Sequence, residues 1–170
     1  STKADYINPN DKDNVKQIIY VCFDTSSRMK NPIFKDKTKK EIPTRSFAST
    51  QFLTIFANRL FGYRINCFLG LITFNKTASI ALDPTPFTDE FESQLINPFD
   101  LKYFSGSIQA ASLASDELQK FSEFKNAAKR IILITAGNDM FSIDEATNLA
   151  KKLFQNKIVL DLVAFGDEND

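Results

Sequence analysis

Asp24 and Ser26 stand two residues apart at the end of an apolar run, Ile18 to Phe23, and Arg28 follows two positions later. A carboxylate and a hydroxyl at this spacing are hard oxygen donors. Mg²⁺ takes such groups, with waters, in octahedral array. Two later stretches carry similar chemistry: Ser105-Gly106-Ser107, and Thr135-Ala136-Gly137-Asn138-Asp139. Ser107 would add a third oxygen. Ala136 adds none, although Asp139 lies three residues on, where it would compensate. Arg28 works against a cation, because two unit charges ~4 Å apart near a protein surface interact by about 4 kcal/mol. Turned inward, its guanidinium would pair with Asp24 and stand in for a metal; turned outward, it would leave an incomplete site. The plainer alternative is that Asp24 and the serines hydrogen-bond and order the loops that carry them.

Catalysis by these residues lacks its partners. The 170-residue sequence contains no histidine, so a serine nucleophile at Ser26 or Ser107 has no imidazole base, and zinc–histidine sites are excluded. No G-x-x-x-x-G-K-[ST], G-x-G-x-x-G or G-x-S-x-G occurs, and five glycines are few for building phosphate loops. A non-enzymatic role is expected.

The elements that must position these residues alternate. The run over 17–23 is continuously apolar and rich in β-branched and aromatic residues, the pattern of a strand buried on both faces. A carboxylate at its carboxyl end faces the crevice in which open α/β sheets bind ligands. A lysine-rich loop over 30–43 follows. Thr44 then caps a helix over 45–61, with Ala48, Phe52 and Ile55 at one helical spacing and Leu53, Phe56 and Leu60 at another, so this helix is expected to be largely buried. Gly62 is expected at its C-cap. Strands over 66–75 and 78–82 are separated only by Lys76 and Thr77, which requires an antiparallel hairpin. Asp83-Pro84-Thr85-Pro86 reads as a turn and Thr88 as the cap of a short helix reaching 95. Further on lie a helix over 108–121 with Ala110, Ala114, Leu118 and Phe121 as its stripe, and a strand over 130–135. Ser142 and Glu145 form a capping box that opens a helix with Ile143, Ala146, Leu149 and Leu153 on one face. A strand over 157–165 ends the series. The fold class that follows is α/β: a doubly wound, mostly parallel sheet with one antiparallel edge strand and helices on both faces.

Composition sets the outer bounds. With 43 % hydrophobic and 25 % charged residues, the chain is an ordinary globular one, divided into a polar leader over 1–14 and a single domain over 15–170. Twenty-one basic and 21 acidic residues balance, so bulk charge predicts neither a nucleic-acid nor a membrane-surface partner. The basic cluster over 35–40 is expected to be a solvated loop. Cys22 and Cys67 both lie in strand patterns, either as buried reduced thiols or, from adjacent strands, as a pair.

Over residues 15–166 the chain resembles the von Willebrand A family, whose members build a metal-ion-dependent adhesion site from three loops. Asp24, Ser26 and Met29 match the first loop, with Arg28 in the place of its second serine. Ser105-Gly106-Ser107 is similar to the second, with Ser107 in the position of a threonine. Ile134-Thr135-Ala136-Gly137 is similar to the third, with Ala136 in the place of its aspartate. The resemblance implies a degenerate metal site whose rim, formed by Asp24, Ser26, Arg28, Ser105, Ser107 and Asp139, binds a protein ligand with no cofactor. The alternative is a Mg²⁺-dependent adhesion domain, with Asp24, Ser26 and Ser107 as the ligands. Pro43-Thr44-Arg45, Gly70-Leu71-Ile72-Thr73 and Asp161-Leu162-Val163-Ala164-Phe165-Gly166 are similar to segments of intracellular members from the ubiquitin–proteasome system. That implies a docking domain of a larger cytoplasmic or nuclear protein, with a protein as its partner and its oligomeric state open. The family also ends with one more strand–helix unit, so the strand over 157–165 is expected at an edge that another segment or partner covers.

Overall fold

The computed structural model describes residues 11–34, 38, 42–63, 65–86, 88–96, 106–137 and 141–166. The apolar run forms β1 (Gln17–Asp24), in which every side chain from Ile18 to Asp24 is buried. It lies in the middle of a five-stranded sheet of order β3-β2-β1-β4-β5, with β2 at Cys67–Phe74, β3 at Ala78–Thr85, β4 at Ala128–Thr135 and β5 at Ile158–Ala164. β1 runs parallel to β2 on one side and to β4 on the other, and β5 runs parallel to β4. Among the described residues only β3 is antiparallel, joined to β2 by the expected hairpin.

Strand alternation divides the core into two layers. Ile18, Tyr20 and Cys22 point to a layer made with Ala110, Ala114 and Leu118 of α3 (Ser107–Gln119) and Leu149 and Leu153 of α4 (Ile143–Gln155). Ile19, Val21 and Phe23 point the other way, toward Leu53, Ala57 and Leu60 of α1 (Arg45–Gly62) and Phe91 and Leu95 of α2 (Thr88–Ile96). An apolar strand with no polar face is what such double coverage requires. The same alternation separates the cysteines. Cys22 lies in the first layer and Cys67 in the second, on opposite faces of the sheet, and both are free thiols. Burial pushes both thiols up, Cys67 to about 11.

Several boundaries differ from the sequence expectation, each for a physical reason. β3 continues through Asp83, Pro84 and Thr85 instead of turning there. An edge strand tolerates proline, and the register shifts around Leu71 absorb it. α1 buries one face only, Ser49, Leu53, Ala57 and Leu60; Phe47, Phe52 and Ile55 face outward. Gly62 is the last residue of α1 and the cap is Tyr63 at φ −83°, so no left-handed glycine ends this helix. On α4, Leu149 and Leu153 are buried as expected, but Ile143 is 85 % exposed in the first turn. The long loop after β1 is closed at its base, where Ile33 donates to the Pro43 carbonyl and Arg45 to that of Asn31. Among the described residues no helix is long and apolar enough to cross a membrane.

Candidate functional site

Asp24 ends β1 with its side chain wholly buried, and its carboxylate is occupied by the protein itself. Oδ1 accepts the Ser26 N–H at 2.7 Å, an Asx-type turn that bends the chain out of the strand. Oδ2 accepts the Thr135 hydroxyl at 3.1 Å and the Ala136 N–H at 2.9 Å. The carboxylate thus bolts the loop after β1 to the loop after β4. Thr135 continues the chain of bonds by accepting the Gly137 N–H at 3.1 Å, and Gly137 takes the left-handed φ of +73° that lets the loop turn away.

Thr25, next in sequence, fastens the other side. Its N–H and hydroxyl both donate to the Phe74 carbonyl, at 2.7 and 2.9 Å, and Asn75 Nδ2 donates to its Oγ1 at 3.2 Å. A short 3-10 turn over Ser27–Lys30 follows, with Ser26 at its N-cap and Met29 buried in the α1–α2 layer. Arg28 in this turn is half-buried. Ser26 itself is buried, and its Oγ has no hydrogen-bond partner among the described residues.

α3 begins beside the same end of the sheet. Ser107, expected in a loop, is its first residue and is buried, with Gly106 as the N-cap. A Cβ on Gly106 would lie 2.9 Å from the Asn75 carbonyl oxygen, so a glycine is needed where α3 starts against the β2–β3 turn. One turn into the helix, the Cys22 thiol donates to the Ala110 carbonyl at 3.6 Å, which seats α3 on β1.

Of the predicted rim, the structure ties Asp24, Ser26 and the Ala136 backbone together directly and sets Ser107 at the adjoining helix start. Ser105 and Asp139 lie outside the described residues. Thr25, Asn75 and Thr135 hold the site together; sequence carried Thr135 as part of the third loop, but did not single out Thr25 or Asn75. The signal of these two was slight: a threonine in the turn after one strand and an asparagine at the end of another.

Among the described residues the arrangement is poor as a cation site. Mg²⁺ takes six oxygens near ideal geometry, waters included, and at Ala136 the third loop presents an N–H donor. Of the predicted ligands, the described residues supply one carboxylate, already accepting three hydrogen bonds, and two serine hydroxyls. Among the described residues no group of three or more His, Cys, Asp or Glu side chains is placed to hold a metal ion.

No family model matches the chain. Over 155 residues it is 25 % identical to the Probable bifunctional E2/E3 enzyme of Acanthamoeba polyphaga mimivirus, an alignment covering 86 % of this chain and 11 % of that protein. The chain therefore spans about a tenth of the length of the curated relative it matches. Among solved structures, the SpRpn10 VWA domain superposes with a TM-score of 0.71 at 21 % identity, over 90 % of this chain and 77 % of that one. BatB from Bacteroides thetaiotaomicron gives 0.71 at 18 % identity, over 87 % of this chain and 66 % of that one. With its sheet order, single antiparallel edge and helices on both faces, the chain has the von Willebrand A fold.

Proposed function

We propose that the chain is a non-enzymatic docking domain of the von Willebrand A type that binds a protein partner without a divalent cation. The observation that carries this reading is the state of Asp24, whose two oxygens are taken up by Ser26, Thr135 and Ala136. A carboxylate used in this way holds two loops in place by itself, which is the task a bound ion would otherwise perform. The rim it orders, with half-buried Arg28 beside it, is the surface offered to a partner. The ubiquitin–proteasome pathway inside the cell is the proposed setting, as one domain of a larger protein. Support comes from the E2/E3 relative, from the SpRpn10 neighbour and from the segments 43–45, 70–73 and 161–166.

One observation favours the second reading, a Mg²⁺-dependent adhesion domain. Ser26 Oγ is buried without a hydrogen-bond partner among the described residues, as a ligand oxygen awaiting a cation would be. Calorimetric titration of the EDTA-stripped chain with Mg²⁺ and Mn²⁺ separates the two. A flat titration is expected. Saturable binding that disappears in Asp24→Ala would overturn cation-independent docking. The double substitution Arg28→Ser with Ala136→Asp supplies the missing oxygens and is expected to gain Mg²⁺ binding. The pathway is tested by nuclear magnetic resonance titration with ubiquitin, alone and carried on an E2. Shifts centred on residues 24–28 and 106–110 are expected, and an unchanged spectrum with both removes that setting.

A further inference from the structure

Three segments of the rim are fastened into one ridge. Thr25 ties the first loop to the β2–β3 turn through Phe74 and Asn75. That turn abuts the start of α3, where the Asn75 and Lys76 carbonyl oxygens lie 2.9 and 3.7 Å from the place a Gly106 Cβ would take. Residues 24–31, 74–77 and 106–109 are therefore held against one another before any partner arrives. Their surface charges are of one sign. Arg28 is half-buried and Lys30 and Lys76 are exposed, and the one acid in these segments is Asp24. Its carboxylate is buried and already accepts three hydrogen bonds, so it presents no acceptor at the surface. α3 adds the partial positive charge of its N-terminus, which neither a side-chain cap on Gly106 nor an acid in the first turn offsets. The whole chain balances 21 basic against 21 acidic residues, so this segregation belongs to the ridge.

Resting on the docking reading above, we infer that the partner presents an acidic peptide segment to this ridge, its carboxylates received by Arg28, Lys30 and Lys76. A guanidinium takes a carboxylate through two parallel N–H bonds, and lysines act as point charges that steer the approach. Ser27 and Thr77, beside Arg28 and Lys76 in sequence, add hydroxyl donors. A ridge already held in place loses little freedom on binding. The number of cations decides against other polyanions. A DNA-binding protein that makes about 6–10 phosphate contacts draws its affinity from their number. Basic segments that hold anionic lipid cluster about 4–8 Lys or Arg. Three cations suit a shorter anion, a few adjacent Asp or Glu residues.

Fluorescence anisotropy of a labelled peptide of alternating glutamate and glycine, titrated with the chain in EDTA, tests this. Saturable binding is expected, and it should weaken as salt rises. Lys76→Glu, in an exposed turn, is expected to weaken it on the order of tenfold with an unchanged melting temperature, and Lys30→Glu to do the same. Lys125→Glu, exposed just before β4 at the other end of the sheet, is expected to leave binding unchanged. A peptide with lysine in place of glutamate is expected not to bind. Binding that appears only when Mg²⁺ is added overturns this inference together with cation-independent docking. Absence of binding with and without Mg²⁺, or binding indifferent to Lys76→Glu, overturns the acidic segment and leaves cation-independent docking standing. Tighter binding of a single-stranded DNA probe of the same charge also overturns the acidic segment, in favour of nucleic acid.

Discussion

Asp24 and Ser26 are neighbours in the site with opposite energetic characters. Removing the Asp24 carboxylate strands two backbone N–H groups and the Thr135 hydroxyl in the interior. Unsatisfied buried donors cost 1–3 kcal/mol each, so Asp24→Ala is expected to destabilise the chain by about 3–5 kcal/mol in urea unfolding. Ser26 Oγ is different, because its burial is uncompensated by any described hydrogen bond. Ser26→Ala is expected to be neutral or stabilising, within ~1 kcal/mol, by the same measurement. A loss of several kcal/mol there would mean that the hydroxyl holds something. Sequence made Asp24 legible because a carboxylate ending an apolar strand has few bland roles. It did not reveal the bonds of Thr135 and Thr25, since these reach across 111 and 49 residues and depend on which strands become neighbours.

Between elements, the seam of β1 and β2 depends on a missing side chain. Gly70 is in register with Tyr20, and a Cβ there would sit 2.7 Å from Tyr20 Cε1 and 3.0 Å from Pro84 Cγ. Gly70→Ala therefore overpacks a fully buried ring and is expected to cost about 1–3 kcal/mol, read from the shift of the urea midpoint. Tyr20→Leu in the same chain should recover part of that loss, because the two sites are in contact. The phenol is itself pushed well above its ordinary value, first by burial and then by Asp83, whose Oδ1 lies 3.4 Å from it. At the start of α4 the capping box is complete: Ser142 Oγ accepts the Glu145 N–H, and Glu145 accepts the Ser142 N–H. The Ser142 backbone N–H, and after it the hydroxyl, hold the Glu145 carboxyl below its usual range. A group whose folded pKa is depressed contributes stability above its unfolded pKa and loses it as pH falls through the folded value. Glu145→Gln is thus expected to lower stability at neutral pH and to flatten its fall on acidification, measured as melting temperature against pH. This cap was readable because all its residues are local. β3 was misjudged at Pro84 because edge position, which decides whether a proline is tolerated, is a property of the sheet.

At the scale of the molecule, the order β3-β2-β1-β4-β5 grades the strands by cover. β1 is paired on both sides and packed on both faces, whereas among the described residues β3 and β5 each have one neighbour and exposed side chains. The layered architecture was legible from the all-apolar runs, since only a sheet covered by helices on both faces hides them. The outward aromatics of α1 were not, because helical spacing alone does not say which of two stripes meets the sheet. Native-state hydrogen exchange should reproduce the grading. Amides of β1 are expected to exchange only through global unfolding, and those at the two edges through smaller openings.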